Sequence, residues 1–327
     1  ALTQKGAAKR WKRKRPRGIR PTPTDDRLLR ARYLHPRLWG HWLLLGLLRL
    51  SVLLPQRGRE AVGAGIGALF WQFARERRRI VLRNLELCFP ELDEAQRRAL
   101  ARRNFRSMGT GLIEMAMAWW LSAERLLELF EVSGREHLEA ARRSGRGVLL
   151  LTCHMAGLEL SGAMICQLAP FKALYRDDRN PLIATVMRRA RRRRIEDVIA
   201  NHDMRGLMRA LNAGDLVWFA PDQDVKPRRG GVFAPFFGIQ AATTSATARL
   251  AQRTDCLVLP YIPQRLADGR YRIVFEPPLE DFPGADTQAA TARINAIVER
   301  WVREQPEHYF WAYKRFKTRP PGEPAVY

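Results

Sequence analysis

A run of four apolar residues, Val148–Leu151, constrains the fold of this chain more than any other segment. It contains no polar position, so it predicts a buried strand rather than a strand with one solvent-facing side. The run leads to His154, and Gly157 then permits a tight turn before an apolar helical pattern at 158–168. The segment therefore predicts a strand, a turn and a helix, with a histidine in the loop where the buried strand ends.

Strand and helix patterns alternate along the rest of the chain. Short apolar runs predict strands, and longer runs with apolar residues at helical spacing predict helices before and between them. The predicted strands cover 147–153, 171–175, 216–220, 256–262 and 271–276, and the predicted helices cover 75–88, 93–106, 110–121, 158–168, 180–193, 204–213, 242–253 and 286–304. This alternation predicts an α/β fold in which helices flank a sheet.

Glu159 stands five residues after His154 and is the only charged residue between His154 and Lys172. A lone carboxylate in an apolar segment needs a partner, and His154 is the nearest candidate in sequence. The two side chains can meet only if His154 lies in the loop and Glu159 lies one turn into the helix. A histidine held by a carboxylate is a typical general base, and a structural histidine beside a buried glutamate is the alternative.

The N-terminal region divides into two parts. Residues 1–24 are basic and poor in apolar side chains, which predicts a disordered arm. Residues 25–57 contain the apolar stretch Leu38–Leu54, so they predict a membrane anchor helix. Length alone favours a tilted span, although Arg49 is costly at the centre of a bilayer. A single span would place the following arginine runs outside the cell, so the topology leans towards a helix embedded in the inner leaflet, or a hairpin.

The charge balance limits the partners. With 57 Lys and Arg against 33 Asp and Glu, the net charge is +24, which points to nucleic acid, an anionic membrane or a phosphorylated substrate. The densest basic run outside the arm, Arg188–Arg194, would suit lipid headgroups or an acidic carrier protein. No nucleophile-elbow, phosphate-loop or dinucleotide motif occurs in the sequence, so those enzyme classes are not indicated.

Polar residues follow two other predicted strands. Arg176 ends one of them, where a guanidinium could grip a phosphate or simply be solvated. Asp222 and Asp224 follow another, where they could bind a metal or only cap the backbone. The aromatic segment Phe233–Phe237 could line an acyl slot or pack in the core, and the hydroxyls within 243–245 could be helix caps.

These motifs together resemble the late acyltransferases of lipid A biosynthesis, which belong to the lysophospholipid and glycerophosphate acyltransferase superfamily. The similarity covers residues 33–327 and leaves out the basic arm and the Arg188–Arg194 run. It is carried by His154-x4-Glu159, Tyr175-Arg176, Asn180-Pro181, Pro221–Asp224, Phe233–Phe237, Ala241–Thr244, His35–Arg37, Arg83–Pro90, Pro306–Trp311 and Arg315–Pro320.

The resemblance implies a mixed sheet flanked by helices, as in glycerol-3-phosphate acyltransferases, with a catalytic domain over 58–327 and an N-terminal membrane-anchoring helix. It implies an enzyme at the cytoplasmic face of a Gram-negative inner membrane, in contact with anionic lipids. The enzyme would move a fatty acyl group, lauroyl as the first choice, from acyl carrier protein to a hydroxyl of a Kdo2-lipid A precursor. No cofactor, metal or nucleic acid is implied.

The resemblance also implies roles for individual residues. His154 would be the general base, Glu159 would orient it, and donors near Gly157 or Arg176 would bind the oxyanion. The expected substrate-binding residues are Arg176, Asn180, Asp222, Asp224, Thr243, Arg315 and Lys317. The alternatives are a nucleic-acid-binding protein, a glycosyltransferase using metal at Asp222 and Asp224, and a related acyltransferase that acts on another lysolipid or glycolipid with acyl carrier protein or acyl-CoA.

Overall fold

The computed structural model describes residue 28 and residues 31–175, 180–192, 194–195, 197–200 and 203–327. The basic arm at 1–24 lies outside the described residues. The helices are α1 (Ala31–Leu34), α2 (Trp39–Ser51), α3 (Gln56–Phe73), α4 (Arg75–Cys88), α5 (Glu94–Trp120), α6 (Ala123–Leu129), α7 (Arg135–Arg143), α8 (Leu158–Ile165), α9 (Pro181–Arg192), α10 (Met204–Asn212), α11 (Ala246–Thr254) and α12 (Thr287–Glu304). The strands are β1 (Phe130–Ser133), β2 (Val148–Leu151), β3 (Lys172–Tyr175), β4 (Asp197–Ala200), β5 (Leu216–Phe219), β6 (Gly231–Phe236), β7 (Ile239–Thr244), β8 (Leu257–Arg265) and β9 (Tyr271–Phe275).

Seven strands form one mixed sheet in the order β1-β9-β8-β2-β5-β3-β4. Neighbouring strands are parallel except for β8 and β9, which are antiparallel. All four residues of β2 are buried, and β2 pairs with β8 on one side and β5 on the other. The prediction of a mixed α/β sheet around a buried strand at 148–151 is therefore confirmed.

Helices cover both faces of this sheet. Leu149 and Leu151 point to the face that is packed by α10, α11 and α12. Val148 and Leu150 point to the opposite face, against α5, α8 and α9. Successive strand residues alternate between the two faces, so the all-apolar run of β2 supplies a core on each side.

The five predicted strands are found within a few residues of their expected bounds, whereas β1, β4 and the β6–β7 hairpin were not predicted. In that hairpin Phe236 and Phe237 are buried, so packing in the core is the correct interpretation of these two aromatic residues. The helices predicted at 93–106 and 110–121 form the single helix α5. Gly109 lies inside that helix, and the space of its missing Cβ is occupied by α3: the Gly63 carbonyl oxygen is 2.1 Å from the ideal Cβ position.

The membrane span predicted over Leu38–Leu54 is not confirmed. Helix α2 has only 13 residues, ends at Ser51 and is followed by a turn before α3. None of the helices within the described ranges is long and apolar enough to cross a membrane. Leu45 and Leu48 of α2 are instead buried in the protein core.

Candidate active site

His154 and Asp222 form the centre of the site. Each follows a strand, β2 or β5, by three residues, and these strands are parallel neighbours with Leu151 opposite Phe219. Their carboxyl ends therefore meet at one edge of the sheet. His154 Nδ1 lies 2.7 Å from Asp222 Oδ1, and the backbone N–H of His154 donates to Asp222 Oδ2 at 3.0 Å. One buried carboxylate thus fixes both the ring and the backbone of the histidine.

Glu159 does not hold the imidazole. Its carboxylate accepts two hydrogen bonds from Arg191, from Nε at 2.8 Å and from Nη2 at 2.6 Å. The sequence-based pairing of His154 with Glu159 is therefore wrong, because the first turn of α8 directs Glu159 towards α9 and Asp222 occupies Nδ1. Both Glu159 and His154 still line the same cavity. A role of Glu159 in catalysis stays a prediction.

Gln223 contacts the other side of the ring. Its amide nitrogen lies 3.1 Å from His154 Nε2. This contact and the carboxylate at Nδ1 together favour the tautomer in which Nδ1 carries the proton and Nε2 has a free electron pair. The sequence predicts no role for Gln223, and the resemblance implies a substrate contact for Asp222. Both residues directly follow an apolar strand, and this position is the sequence feature that could have indicated a place in the active site.

Asp222 also sets the proton affinity of His154. Burial lowers the pKa of His154, but the charge of Asp222 and its hydrogen bond outweigh burial, so the pKa of His154 lies above its ordinary value. Burial of Asp222 acts to raise the pKa of that carboxyl, and His154 reverses the effect, leaving the pKa of Asp222 below its usual range. The pair therefore favours a carboxylate that stabilises an imidazolium.

The C-terminal segment, residues 305–327 after α12, fixes the turn that carries His154. The backbone N–H of Ala156 donates to the His308 carbonyl at 2.8 Å, and the N–H of Phe310 donates to the His154 carbonyl at 3.0 Å. Gly157 precedes α8 with φ of 82°, a left-handed conformation that glycine adopts without strain. The loop after β2 is thus held on both sides of the histidine.

A cavity of about 300 Å³ opens beside His154. Its polar part is formed by His154, Glu159, Arg191 and Arg194, and the remaining wall is apolar. Small residues of α8 and β3, Gly162 and Ala173 among them, leave room in this wall. Its large aromatic members are Trp119, Phe171 and Trp218. The cavity has the shape and chemistry for an apolar chain whose reactive end lies at His154.

Two predicted substrate-binding residues are used inside the protein. Arg315 is only 1% exposed, and its guanidinium donates to the Ala242 carbonyl at 3.0 Å and to Thr243 Oγ1 at 2.6 Å. Thr243 is fully buried. Because this network fastens the β6–β7 hairpin to the C-terminal segment, the prediction that Arg315 and Thr243 contact substrate is wrong.

The other predicted binding residues have different positions. Asp224 accepts hydrogen bonds from the backbone N–H and the hydroxyl of Thr318, both at 2.9 Å, and so holds the C-terminal segment. Asn180 caps α9, accepting from Leu182 N at 2.9 Å. Lys317 is exposed, and Arg176 lies outside the described residues. Substrate contacts of Asn180, Asp224 and Lys317 stay predictions.

Asp222 and Asp224 do not face a common site, since one binds His154 and the other Thr318. Across the described parts of the chain, no group of three or more His, Cys, Asp or Glu side chains could hold a metal ion. The arrangement therefore offers acid–base chemistry by an oriented imidazole next to an apolar cavity.

Comparison with known proteins decides the family. The model of the bacterial lipid A biosynthesis acyltransferase family matches residues 29–318. The chain belongs to this family. It is 40% identical over 296 residues to the lipid A biosynthesis lauroyltransferase of Escherichia coli, covering 90% of this chain and 96% of that protein. The lipid A biosynthesis palmitoleoyltransferase of the same organism is 39% identical, again over 90% of this chain and 96% of the relative.

A more distant relative is the Escherichia coli lipid A biosynthesis myristoyltransferase, 30% identical over 89% of this chain and 91% of that protein. Among solved structures, a 1-acyl-sn-glycerophosphate acyltransferase of Thermotoga maritima covers 74% of this chain and 97% of its own at a TM-score of 0.35 and 13% identity. The family model and the curated relatives confirm the resemblance to the lipid A biosynthesis acyltransferases, so the protein is an acyltransferase. Its relatives are named for three different acyl groups, so family membership alone does not fix the chain length.

Proposed function

We propose that this lipid A biosynthesis acyltransferase moves a lauroyl group from acyl carrier protein to a hydroxyl of a Kdo2-lipid A precursor. The observation that carries the proposal is the His154–Asp222 pair, whose histidine lines a largely apolar cavity. An oriented imidazole can take a proton from a hydroxyl, and an apolar cavity can hold the chain of a thioester donor. The 40% identity to a relative named as a lauroyltransferase supports the choice of acyl group.

In the proposed reaction, Nε2 of His154 takes the proton of the acceptor hydroxyl as its oxygen attacks the thioester carbonyl. The carbonyl electron pair moves to the oxygen and gives a tetrahedral oxyanion, for which the Gly157 N–H and Arg176 are the proposed donors. Collapse re-forms the carbonyl and breaks the C–S bond. The thiolate leaves and receives the proton from His154, so neither metal nor acyl-enzyme is needed.

Two neighbours of His154 have defined parts in this mechanism. Asp222 stabilises the imidazolium that forms when the proton is transferred. The Gln223 amide lies where the acceptor hydroxyl must approach Nε2, so the hydroxyl displaces it on binding. The bidentate contact with Arg191 fixes the position of the Glu159 carboxylate on the wall of the cavity, where the proposal assigns it to substrate positioning.

Exposed apolar side chains on α2, on α3 and in the turn between them support placement at a membrane. We call them the apolar platform: Leu43, Leu44, Leu47, Leu50, Leu53, Leu69, Phe70 and Phe73, each at least 50% exposed. A patch of this kind on a protein surface marks an interaction site, and exposed arginines at 75, 77 and 79 follow it directly. Apolar side chains beside basic ones suit the interface of an anionic leaflet. We propose the cytoplasmic face of the inner membrane.

The platform is tightly joined to the catalytic domain. An ideal Cβ on Gly67 would lie 2.1 Å from the Phe105 carbonyl oxygen, so α3 and α5 pack backbone against backbone. The far end of α5 carries Trp119, which lines the cavity. Seating the platform in a leaflet would therefore hold the cavity at a fixed distance from the lipid surface.

The activity is tested with detergent-solubilised protein, lauroyl carrier protein and the Kdo-bearing tetraacyl precursor, followed by mass spectrometry of the lipid. We expect one added lauroyl group in the product, and none with His154→Ala of normal fold. Parallel reactions with myristoyl and palmitoleoyl carrier protein and with lauroyl-CoA distinguish donors. Transfer only from acyl-CoA, or only to another lysolipid, would replace the proposed donor or acceptor.

Membrane placement is tested by flotation with vesicles containing anionic phospholipid. The double variant Leu47→Glu/Leu50→Glu should stay in the bottom fraction, because two charges cannot enter the leaflet. Met204→Glu is the matched control, since Met204 is also exposed but lies on α10, away from the platform. Equal flotation of all three proteins would contradict the proposal.

A further inference from the structure

A buried group of charged and polar side chains lies behind the turn that follows His154. Glu114 of α5 is 1% exposed and accepts two hydrogen bonds from Arg265 at the end of β8, from Nε at 2.6 Å and from Nη2 at 2.7 Å. Arg265 also donates to the hydroxyl of Ser107 at 2.8 Å, and that hydroxyl lies 2.7 Å from His308 Nδ1. One guanidinium thus connects α5, β8 and the C-terminal segment.

This group touches the turn at two points. The carbonyl of His308 accepts the hydrogen bond of Ala156 N–H. Glu114 Oε2 lies 3.0 Å from the position that a Cβ on Gly157 would occupy, so the carboxylate is packed directly under the glycine. The four side chains are not among the residues that line the cavity. Their contact with the reaction is therefore indirect, through residues 155–157.

We infer that Glu114 and Arg265 are a positioning pair. The pair holds the 155–157 turn so that His154 meets the acceptor hydroxyl and the Gly157 N–H meets the reacting carbonyl. The inference rests on the proposed function. A guanidinium fork fixes the angle as well as the distance of its partners, which a lysine ammonium cannot do. The geometry of the turn is thus set by one planar group with three anchored neighbours.

The charges of the pair explain why both members are present. A carboxylate alone under Gly157 would repel the oxyanion that develops in the transition state. Arg265 neutralises that charge while using it as an anchor. Burial and the charge of Arg265 lower the pKa of His308 to about 3. His308 therefore stays neutral over the working range of pH, and its Nδ1 remains an acceptor for the group.

The test compares Arg265→Lys with Arg272→Lys. Arg272 lies on the neighbouring strand β9 and donates to Glu131 at 2.6 Å, at the edge of the sheet. We expect Arg265→Lys to lower kcat at least tenfold, with KM for donor and acceptor within twofold of the unaltered enzyme. Arg272→Lys should leave kcat within twofold. Thermal unfolding of each variant shows that the assays are made on folded protein.

A second variant keeps the inference testable if Arg265→Lys does not fold. Glu114→Gln/Arg265→Met removes both buried charges together, which proteins tolerate better than the loss of one partner. It should fold and show the same selective loss of kcat. A folded variant of either kind with kcat unchanged, or with only KM altered, would overturn the inference. Absence of acyl transfer by the unaltered enzyme would instead contradict the proposed function.

Discussion

Asp222→Asn tests whether the carboxylate at Nδ1 makes His154 a base. The side-chain shape is retained, and the amide oxygen can still accept the hydrogen bond that the His154 backbone N–H now donates to Oδ2 at 3.0 Å. The NH₂ group then faces Nδ1 at the position of Oδ1, 2.7 Å away. Because that group donates, Nδ1 must become the acceptor and the proton moves to Nε2. The nitrogen that should take the substrate proton is then already protonated.

The size of the effect follows from two losses. General base catalysis contributes about 10² to 10⁴ in rate, and the same carboxylate also stabilises the imidazolium. We therefore expect kcat to fall by about 10³, equivalent to roughly 4 kcal/mol in activation free energy. KM should change little, because Asp222 is 3% exposed and does not line the cavity.

The assay is steady-state transfer of a lauroyl group from carrier protein to the Kdo-bearing tetraacyl precursor. Asp215→Asn is the control, because Asp215 is also buried but lies at the opposite end of β5, where it pairs with Lys172. That variant should lose stability and keep its kcat when folded. Asp222→Asn with kcat within fivefold of the unaltered enzyme would refute the assigned role of Asp222.

Three further predictions use other parts of the structure. Because Asp222 raises the pKa of His154 and the neutral imidazole is the active form, kcat/KM should rise with pH through a midpoint above about 6.5; a midpoint below 6 would contradict this. Gly162→Met should fold, since a Cβ at Gly162 meets only Phe171 at 3.8 Å. It should shift the donor preference in competition assays towards acyl chains shorter than lauroyl, because Gly162 lines the cavity. An unaltered preference would mean that the acyl chain binds elsewhere. Gly67→Ala should lower the free energy of unfolding by about 1–3 kcal/mol, because its Cβ would clash with α5. Gly65→Ala in the same helix has nothing within 4 Å of its Cβ position and should raise the free energy of unfolding by about 0.5–1 kcal/mol. Equal denaturation midpoints of the two variants would exclude close α3–α5 packing.

Much of the fold was determined by the local sequence. The all-apolar run Val148–Leu151 indicates a core strand, and the alternation of strand and helix patterns along the chain indicates an α/β sheet. The capping-box sequence at Asp93 and the apolar spacing behind it similarly set the start of α5. The position of His154 in the loop after a buried strand could also be predicted from the sequence. Each of these properties depends on residues that are near neighbours in the chain.

Contacts between distant residues were decided only by the tertiary structure. The partner of His154 is Asp222, 68 residues away, because β2 and β5 are adjacent in the sheet although they are not consecutive in sequence. The nearer carboxylate, Glu159, is taken by Arg191 of α9. Proximity along the chain suggested the wrong pair, since strand order is fixed by packing of the whole core. The Glu114–Arg265 pair could not be predicted from the sequence either, because its two members come together only when α5 and β8 pack against each other.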